Sequence, residues 1–200
     1  FSDFDIGNPA DDFLGTDTTR SIVYAYNGDD TDENAFGDDI PAMAVDLLRG
    51  PLGPVADTII EEPLAHAVPF QASSLSGPEI YNLLRGRFAD GAPAPNNGLL
   101  YTDYPDDPDG WSEVTAGNTP GERKLVSSFG PFTLFPGAVN EIIAAYTFYR
   151  EPGNSPAENA ALIPGQGEVV QQFFDQCFEG DMLCTRNFVV ATQNPLPESD

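Results

Sequence analysis

Glycine and proline limit this chain to short elements joined by many turns. The 200 residues include 19 glycines and 19 prolines, and both residue types interrupt helices and strand interiors. Apolar residues make up 40% of the chain and aromatic residues 11%, so it can build a packed core and is not compositionally disordered. We expect a single β-rich domain over residues 1–192, with 193–200 as a linker or tail.

β-branched and aromatic runs between turn residues predict most of the elements. Residues 21–26 form an expected strand that Asn27-Gly28 ends, and a hairpin is expected from a strand at 124–129, a turn at 135–137 and a long strand over Asn140–Arg150. Further strands are expected at 42–48, 67–73 and 187–192, and irregular loops at 1–20 and 51–66.

Two capping boxes predict helices. Ser76 and Ser155 are each followed by proline within two residues and by glutamate three residues later, a pattern that marks the first turn of a helix. After the second box, residues 164–167 should break the helix, and apolar spacing resumes over 169–177 on a core-facing side. The fold class is therefore mainly β, with sandwich-like antiparallel sheets, two or three short packed helices and long acidic loops.

Charge restricts the partners. Thirty-two acidic residues against eight basic ones give a net charge of −24, which repels phosphate backbones and anionic lipid headgroups. No apolar run approaches the ~20 residues that span a bilayer. We expect no nucleic-acid partner and no membrane insertion. The acidity fits either adaptation to high salt or the binding of cations.

A calcium site is the sharper of these two interpretations. The first loop places Asp3, Asp5, Asp11, Asp12 and Asp17 among glycines, and calcium takes six to eight oxygen ligands in flexible geometry. The alternative is a solvated loop whose aspartates cap turns. Weaker acidic loops follow, at 29–32 and 106–109.

Catalytic signatures are weak. Glu113 beside Trp111 could serve a carbohydrate-active or carbohydrate-binding site, although a structural tryptophan explains the pair as well. His66 is the only histidine, and no nucleophile elbow or phosphate loop accompanies it. Cys177 and Cys184 form either a short disulfide or two free thiols. We expect no enzyme and no catalytic residue.

Three stretches together resemble segments of large secreted proteins of Bacteroidetes-type bacteria, many of them exported by the type IX secretion system. The stretches are Asp3–Asp17 with Tyr24–Asp29, Gly110-Trp-Ser-Glu113 with 120–124, and 128–137 with 173–178. The resemblance implies an extracellular or cell-surface location, other domains of the same parent protein as partners, and no well-defined activity.

These observations predict a non-enzymatic structural or adhesive module of a secreted bacterial surface protein, stabilised by calcium through the first loop. Two other functions remain open from the sequence. One is a carbohydrate module with a glycan partner at Trp111 and Glu113. The other is a subunit of an extracellular filament or surface assembly, since β-rich domains offer sheet edges for association.

Overall fold

The computed structural model describes residues 1–32, 35–55 and 58–177. These residues form nine strands and three α-helices. The strands are β1 (Ser2–Phe4), β2 (Asp12–Asp17), β3 (Ile22–Asn27), β4 (Ala42–Arg49), β5 (Leu52–Val55), β6 (Thr58–Glu61), β7 (Leu64–Phe70), β8 (Arg123–Phe129) and β9 (Ile143–Tyr149). The helices are α1 (Gly77–Leu84), α2 (Pro156–Ala160) and α3 (Ile163–Asp175).

Two antiparallel sheets and a hairpin organise these strands. The first sheet has the order β1-β8-β7, and the second has the order β2-β3-β4-β9. Strands β5 and β6 pair as a separate hairpin. The mainly β fold class with packed helices is confirmed.

Three apolar clusters fill the space between the layers. The first lies between the two sheets and includes Phe4 and Leu125 from the first sheet and Leu14 and Val23 from the second. The second lies between the outer face of the second sheet and helices α2 and α3. The third packs α1 against the outer face of the first sheet. Each sheet therefore packs against the other sheet on one face and against helices on its other face.

Alternation along β2 and β3 decides which side chains enter which cluster. Phe13 lies opposite Tyr26 and faces the helices, whereas Asp12 lies opposite Asn27 and faces the other sheet, on the side of Leu14. Gly15 is required here, because a Cβ at this position would lie 2.0 Å from the Tyr24 ring.

Local signals predicted the helices better than the strands. Both capping boxes are formed, at α1 and at α2. The expected break at 164–167 is wrong, because Pro164 sits in the first turn of α3, where proline needs no amide partner. Val169 on α3 is 42% exposed, so the face expected to be core-facing is only partly so.

Three strand expectations need correction. Residues 1–20 contain β1 and β2 rather than one loop, and 51–66 contains the β5-β6 hairpin. The expected hairpin between 124–129 and Asn140–Arg150 is not formed, because β8 pairs with β1 and β7 whereas β9 pairs with β4. The predicted strand at 187–192 and the tail at 193–200 lie outside the described residues.

Candidate functional site

The five aspartates predicted to bind calcium do not surround one point. Asp3 and Asp5 are exposed, and the Asp3 carboxylate lies 3.9 Å from the Lys124 ammonium. Asp12 and Asp17 occupy opposite ends of β2, roughly 17 Å apart at ~3.3 Å per residue, and point to opposite faces. The structure therefore does not gather the five side chains into one site, although the charges of Asp11 and Asp5 both act on Asp12, and calcium binding itself stays a prediction.

Asp17 already has a complete set of partners. Its Oδ1 accepts hydrogen bonds from the Thr19 and Arg20 amides at 2.9 and 3.0 Å. Its Oδ2 accepts from the Arg20 guanidinium and from the Tyr104 hydroxyl, both at 2.9 Å. Asp17 thus closes the turn after β2, which is the capping role that acidic loop residues commonly have.

Asp12 is the contrasting case, because it is fully buried with one weak contact. Its side chain is 0% exposed, its Oδ2 accepts a 3.3 Å hydrogen bond from the Ile6 amide, and its Oδ1 has no partner among the described residues. Burial raises the pKa of Asp12 to about 8, and the negative charges of Asp11 and Asp5 add to the shift.

Two neighbours of Asp12 also carry buried oxygens without partners in the described part of the chain. Asn27, directly opposite Asp12, is 3% exposed and has such an Oδ1. Asp11 has such an Oδ1 as well. Burial, followed by the charge of Asp29, raises the pKa of Asp11. We call Asp11, Asp12, Asn27 and Asp29 the loop-end cluster.

Backbone contacts hold the loop-end cluster in place. The Gly28 amide donates to the Asp11 carbonyl at 2.6 Å, which joins the loop before β2 to the loop after β3. The Asn27 Nδ2 lies 3.2 Å from the Asp29 carbonyl oxygen and 3.4 Å from Asp29 Oδ1. The NH2 group of Asn27 therefore donates hydrogen bonds to Asp29.

Glu113 has the opposite environment to Asp12. It is 2% exposed, and its Oε1 accepts from the Arg123 Nε and the Leu14 amide, both at 2.9 Å. Its Oε2 accepts from Arg123 Nη2 at 2.8 Å and from Asn118 Nδ2 at 3.0 Å. This bidentate ion pair ties the loop before β8 to strand β2.

The other residues singled out in the sequence have structural contacts. Trp111 is half-buried, and its ring centroid lies 5.4 Å from that of Tyr101. The His66 Nδ1 lies 2.7 Å from the Asn97 carbonyl oxygen. Cys177 is exposed just after α3, and its predicted disulfide partner, Cys184, lies outside the described residues.

A second buried acid lies under α3. Asp46 is 2% exposed, its Oδ2 has no partner among the described residues, and burial followed by the charge of Asp17 raises its pKa to about 7. Gly167 of α3 packs over this carboxylate and over the Tyr149 hydroxyl. The three residues form a closed contact between helix and sheet.

An apolar surface remains open along β9. Tyr146 and Phe148 lie opposite Val45 and Met43 of β4, on the face of the second sheet that turns toward the first sheet. They are nevertheless 69% and 57% exposed. Among the described residues, the first sheet consists of β1, β8 and β7. The segment that leads into β9 adds exposed apolar side chains, namely Leu134, Phe135, Val139 and Ile142. We call these six side chains the β9 face.

Sequence reasoning missed Asn27, Arg123 and Asp46. The sequence predicts Asn27 only as the residue that ends the strand at 21–26. A detectable sign was its place at a strand end beside an acidic run, since antiparallel pairing sets such a residue opposite Asp12. Arg123 and Asp46 gave no comparable local sign, because the pairing of Arg123 with Glu113 depends on the loop before β8 and the burial of Asp46 depends on the packing of α3.

The remaining observations are comparisons and absences. No family model matches the chain, and searches of curated proteins and of solved structures also find no match. In the described ranges, no three acidic, histidine or cysteine side chains are already arranged to hold a metal ion. Within those same ranges, no helix has the length and apolar character that crossing a bilayer requires.

Proposed function

We propose that this chain is a non-enzymatic structural or adhesive module of a secreted bacterial surface protein, and that it acts by docking a further protein domain on the β9 face. The observation that carries the proposal is this exposed apolar surface along an edge strand of the second sheet. The partner would be another domain of the same parent protein or a subunit of a surface assembly.

The size of the β9 face supports docking. An aromatic side chain covers about 150–250 Å², so Phe135, Tyr146 and Phe148 together offer roughly 300–500 Å² at their exposed fractions, and the three aliphatic side chains add to this area. The largest apolar patch on a typical monomer is about 300–600 Å². A standard protein interface buries about 800 Å² on each partner. The β9 face is therefore comparable in area to the largest apolar patches of monomeric proteins, which often have a function.

The two edges of the second sheet support the same conclusion. At the β2 edge, the Asp12 amide donates to the Gly121 carbonyl and the Thr16 amide donates to the Tyr101 carbonyl. Strand β9, at the other edge, pairs with β4 only, as far as the described residues show. An open edge strand can accept an added strand from a partner.

Charge is compatible with docking at this place. Strand β9 carries no charged residue between Glu141 and Arg150, although the chain has a net charge of −24. A partner approaching the β9 face therefore meets less repulsion than it would elsewhere. Neutral, apolar centres with charges at the rim are typical of protein interfaces.

The contacts of Glu113 favour a structural over a catalytic role. A general acid needs a proton to donate to substrate, whereas both Glu113 oxygens accept hydrogen bonds, and two of the donors belong to Arg123. Trp111 packs beside Tyr101. The carbohydrate alternative thus gains no support from this pair, whereas a filament or assembly subunit would use the same β9 face.

Sedimentation of the full 200-residue chain tests the proposal. Without its natural partner, the β9 face should dock on a second copy, so we expect reversible self-association that increases with added salt, because salt screens the repulsion between the acidic chains. The double variant Tyr146→Lys and Phe148→Lys should remain monomeric.

The matched control is Tyr81→Lys, since Tyr81 is 59% exposed on α1. It should associate like the unmodified chain. Equal association by the control and the double variant would place the contact elsewhere. A chain that stays monomeric at millimolar concentration and high salt would contradict docking through the β9 face.

A further inference from the structure

Three buried oxygens without hydrogen-bond partners occur at one end of the sandwich. They are Asp11 Oδ1, Asp12 Oδ1 and Asn27 Oδ1. Buried polar atoms almost always have a partner, and leaving one unsatisfied destabilises the fold. Asp11 and Asp12 are adjacent in sequence and Asn27 pairs with Asp12, so the three oxygens belong to neighbouring residues and indicate a further partner of the folded chain.

The positions of the three oxygens are linked. Asp12 and Asn27 are directly opposed on β2 and β3, so their side chains lie on the same face. Asp11 precedes Asp12, and its carbonyl oxygen is bonded to the Gly28 amide, next to Asn27. Asn27 Nδ2 donates to Asp29 Oδ1 at 3.4 Å, so Asp29 lies beside the Asn27 side chain.

Asn8 Nδ2 donates to Asp11 Oδ2 at 2.9 Å, but no described side chain donates to the three Oδ1 atoms. Asp5, Asp11 and Asp29 add negative charge around the cluster. Arg123 is the cation that acts on Asp12, but its Nε and Nη2 donate to Glu113. The added partner should therefore be positively charged and bind oxygen.

We propose that the loop-end cluster is a calcium-binding site, in which Asp11 Oδ1, Asp12 Oδ1 and Asn27 Oδ1 bind the ion and Asp29 closes the site together with backbone carbonyls and water. Calcium accepts carboxylate, amide and carbonyl oxygens in flexible geometry, whereas magnesium needs a near-octahedral arrangement. The set keeps Asp11 and Asp12 from the sequence prediction, replaces Asp3, Asp5 and Asp17, and adds Asn27 and Asp29.

The described residues do not already form a metal-binding group of three acidic, histidine or cysteine side chains. Binding thus requires an amide ligand and a small adjustment of the two loops. That adjustment lowers affinity, so we expect a dissociation constant of about 10⁻⁴–10⁻³ M, the range of extracellular calcium modules. The site does not depend on docking at the β9 face.

Calorimetric titration of the full chain with calcium chloride, after treatment with EDTA, measures the site directly. One calcium should bind, and the unfolding temperature should rise with millimolar calcium beyond the rise caused by sodium chloride of equal ionic strength. The variants Asp12→Asn and Asp11→Asn should each weaken calcium at least ten-fold. Asp11 is half-buried, so its variant remains informative if Asp12→Asn fails to fold.

The matched control is Asp109→Asn, which removes the same charge from an exposed position in another acidic loop. It should bind calcium like the unmodified chain. An equal response to calcium and to sodium would overturn the proposal. Unchanged calcium binding by Asp11→Asn and by Asp12→Asn would also overturn it, because the ion would then bind outside the loop-end cluster. Neither result would alter sedimentation, so this test and that of the β9 face fail separately.

Discussion

Glu113 and Asp12 are both buried carboxylic acids, yet their environments are opposite. Glu113 accepts four hydrogen bonds, two of them from Arg123, whereas Asp12 accepts one bond of 3.3 Å. The partners of Glu113 supply the hydrogen bonds that water would otherwise make, whereas burial without comparable partners raises the pKa of Asp12. The comparison shows that the number of hydrogen-bond donors and cations around a buried carboxyl group, rather than burial alone, decides whether that group stabilises the fold.

The largest effect should come from removing the partner of Glu113. Arg123→Met leaves a buried carboxylate without its cation, and we expect a loss of about 3–5 kcal/mol in the free energy of unfolding, measured by denaturant titration. Arg150→Met is the control, because Arg150 is bonded to Asp39 at 3.5 Å near the surface, and its loss should be slight.

A double variant sharpens this result. Replacing both Glu113 and Arg123 by apolar residues removes the pair without leaving a charge behind, so it should cost less than Arg123→Met alone. If the double variant were as unstable as Arg123→Met or less stable, the unpaired charge would not be the cause of the loss.

The next effect concerns Asp12 and pH. The folded pKa of Asp12, about 8, exceeds its ordinary value of 3.8, so the folded chain binds more protons than the unfolded chain between these two values. Stability due to this group is present at acid pH and is lost as pH rises towards 8. In metal-free solution, the stability advantage of Asp12→Asn over the unmodified chain should grow by about 1 kcal/mol per pH unit across this window.

Denaturant titrations at several pH values measure this advantage. Asp109→Asn provides the control, since Asp109 is exposed and its stability should follow the pH dependence of the unmodified chain. An advantage of Asp12→Asn that stays constant from acid pH to pH 8 would contradict the assignment of the raised pKa to Asp12.

A smaller effect should come from Asn118, one of the neutral donors to Glu113. Asn118→Ala removes the 3.0 Å bond to Oε2, and a hydrogen bond to a charged group contributes about 1.5–3 kcal/mol. The loss, measured by the same titration, should be below that of Arg123→Met. A loss as large as that of Arg123→Met would mean that the loop around Asn118, rather than the ion pair, holds the sheets together.

The sequence predicted what depends on neighbouring residues. Ser76 and Ser155 start helices as expected, because a capping box is complete within four residues. Strand β2 was missed because its acidic ends and Gly15 resemble a loop, and only pairing with β3 reveals it. The assignment of β8 and β9 to different sheets depends on distant partners and could not be read from the turn between them.

The candidate site follows the same rule. Asp11 and Asp12 were found from their acidic surroundings, whereas Asn27 becomes their neighbour only through antiparallel pairing. The sequence predicts Asn140–Arg150 as the second strand of a hairpin with 124–129 and gives no sign that its apolar side chains are exposed. In the structure, β9 pairs with β4 at an edge of the second sheet, a placement that depends on residues about 100 positions apart.

The central claim is that the Asp12 carboxyl is buried without an adequate partner in the metal-free chain. Its most direct test is an NMR titration of carboxyl carbons in EDTA, with Asp12→Asn used to assign the resonance. We predict that Asp12 titrates near pH 8. Titration near pH 4, the ordinary value for aspartate, would show that Asp12 is solvated or paired and would contradict the account.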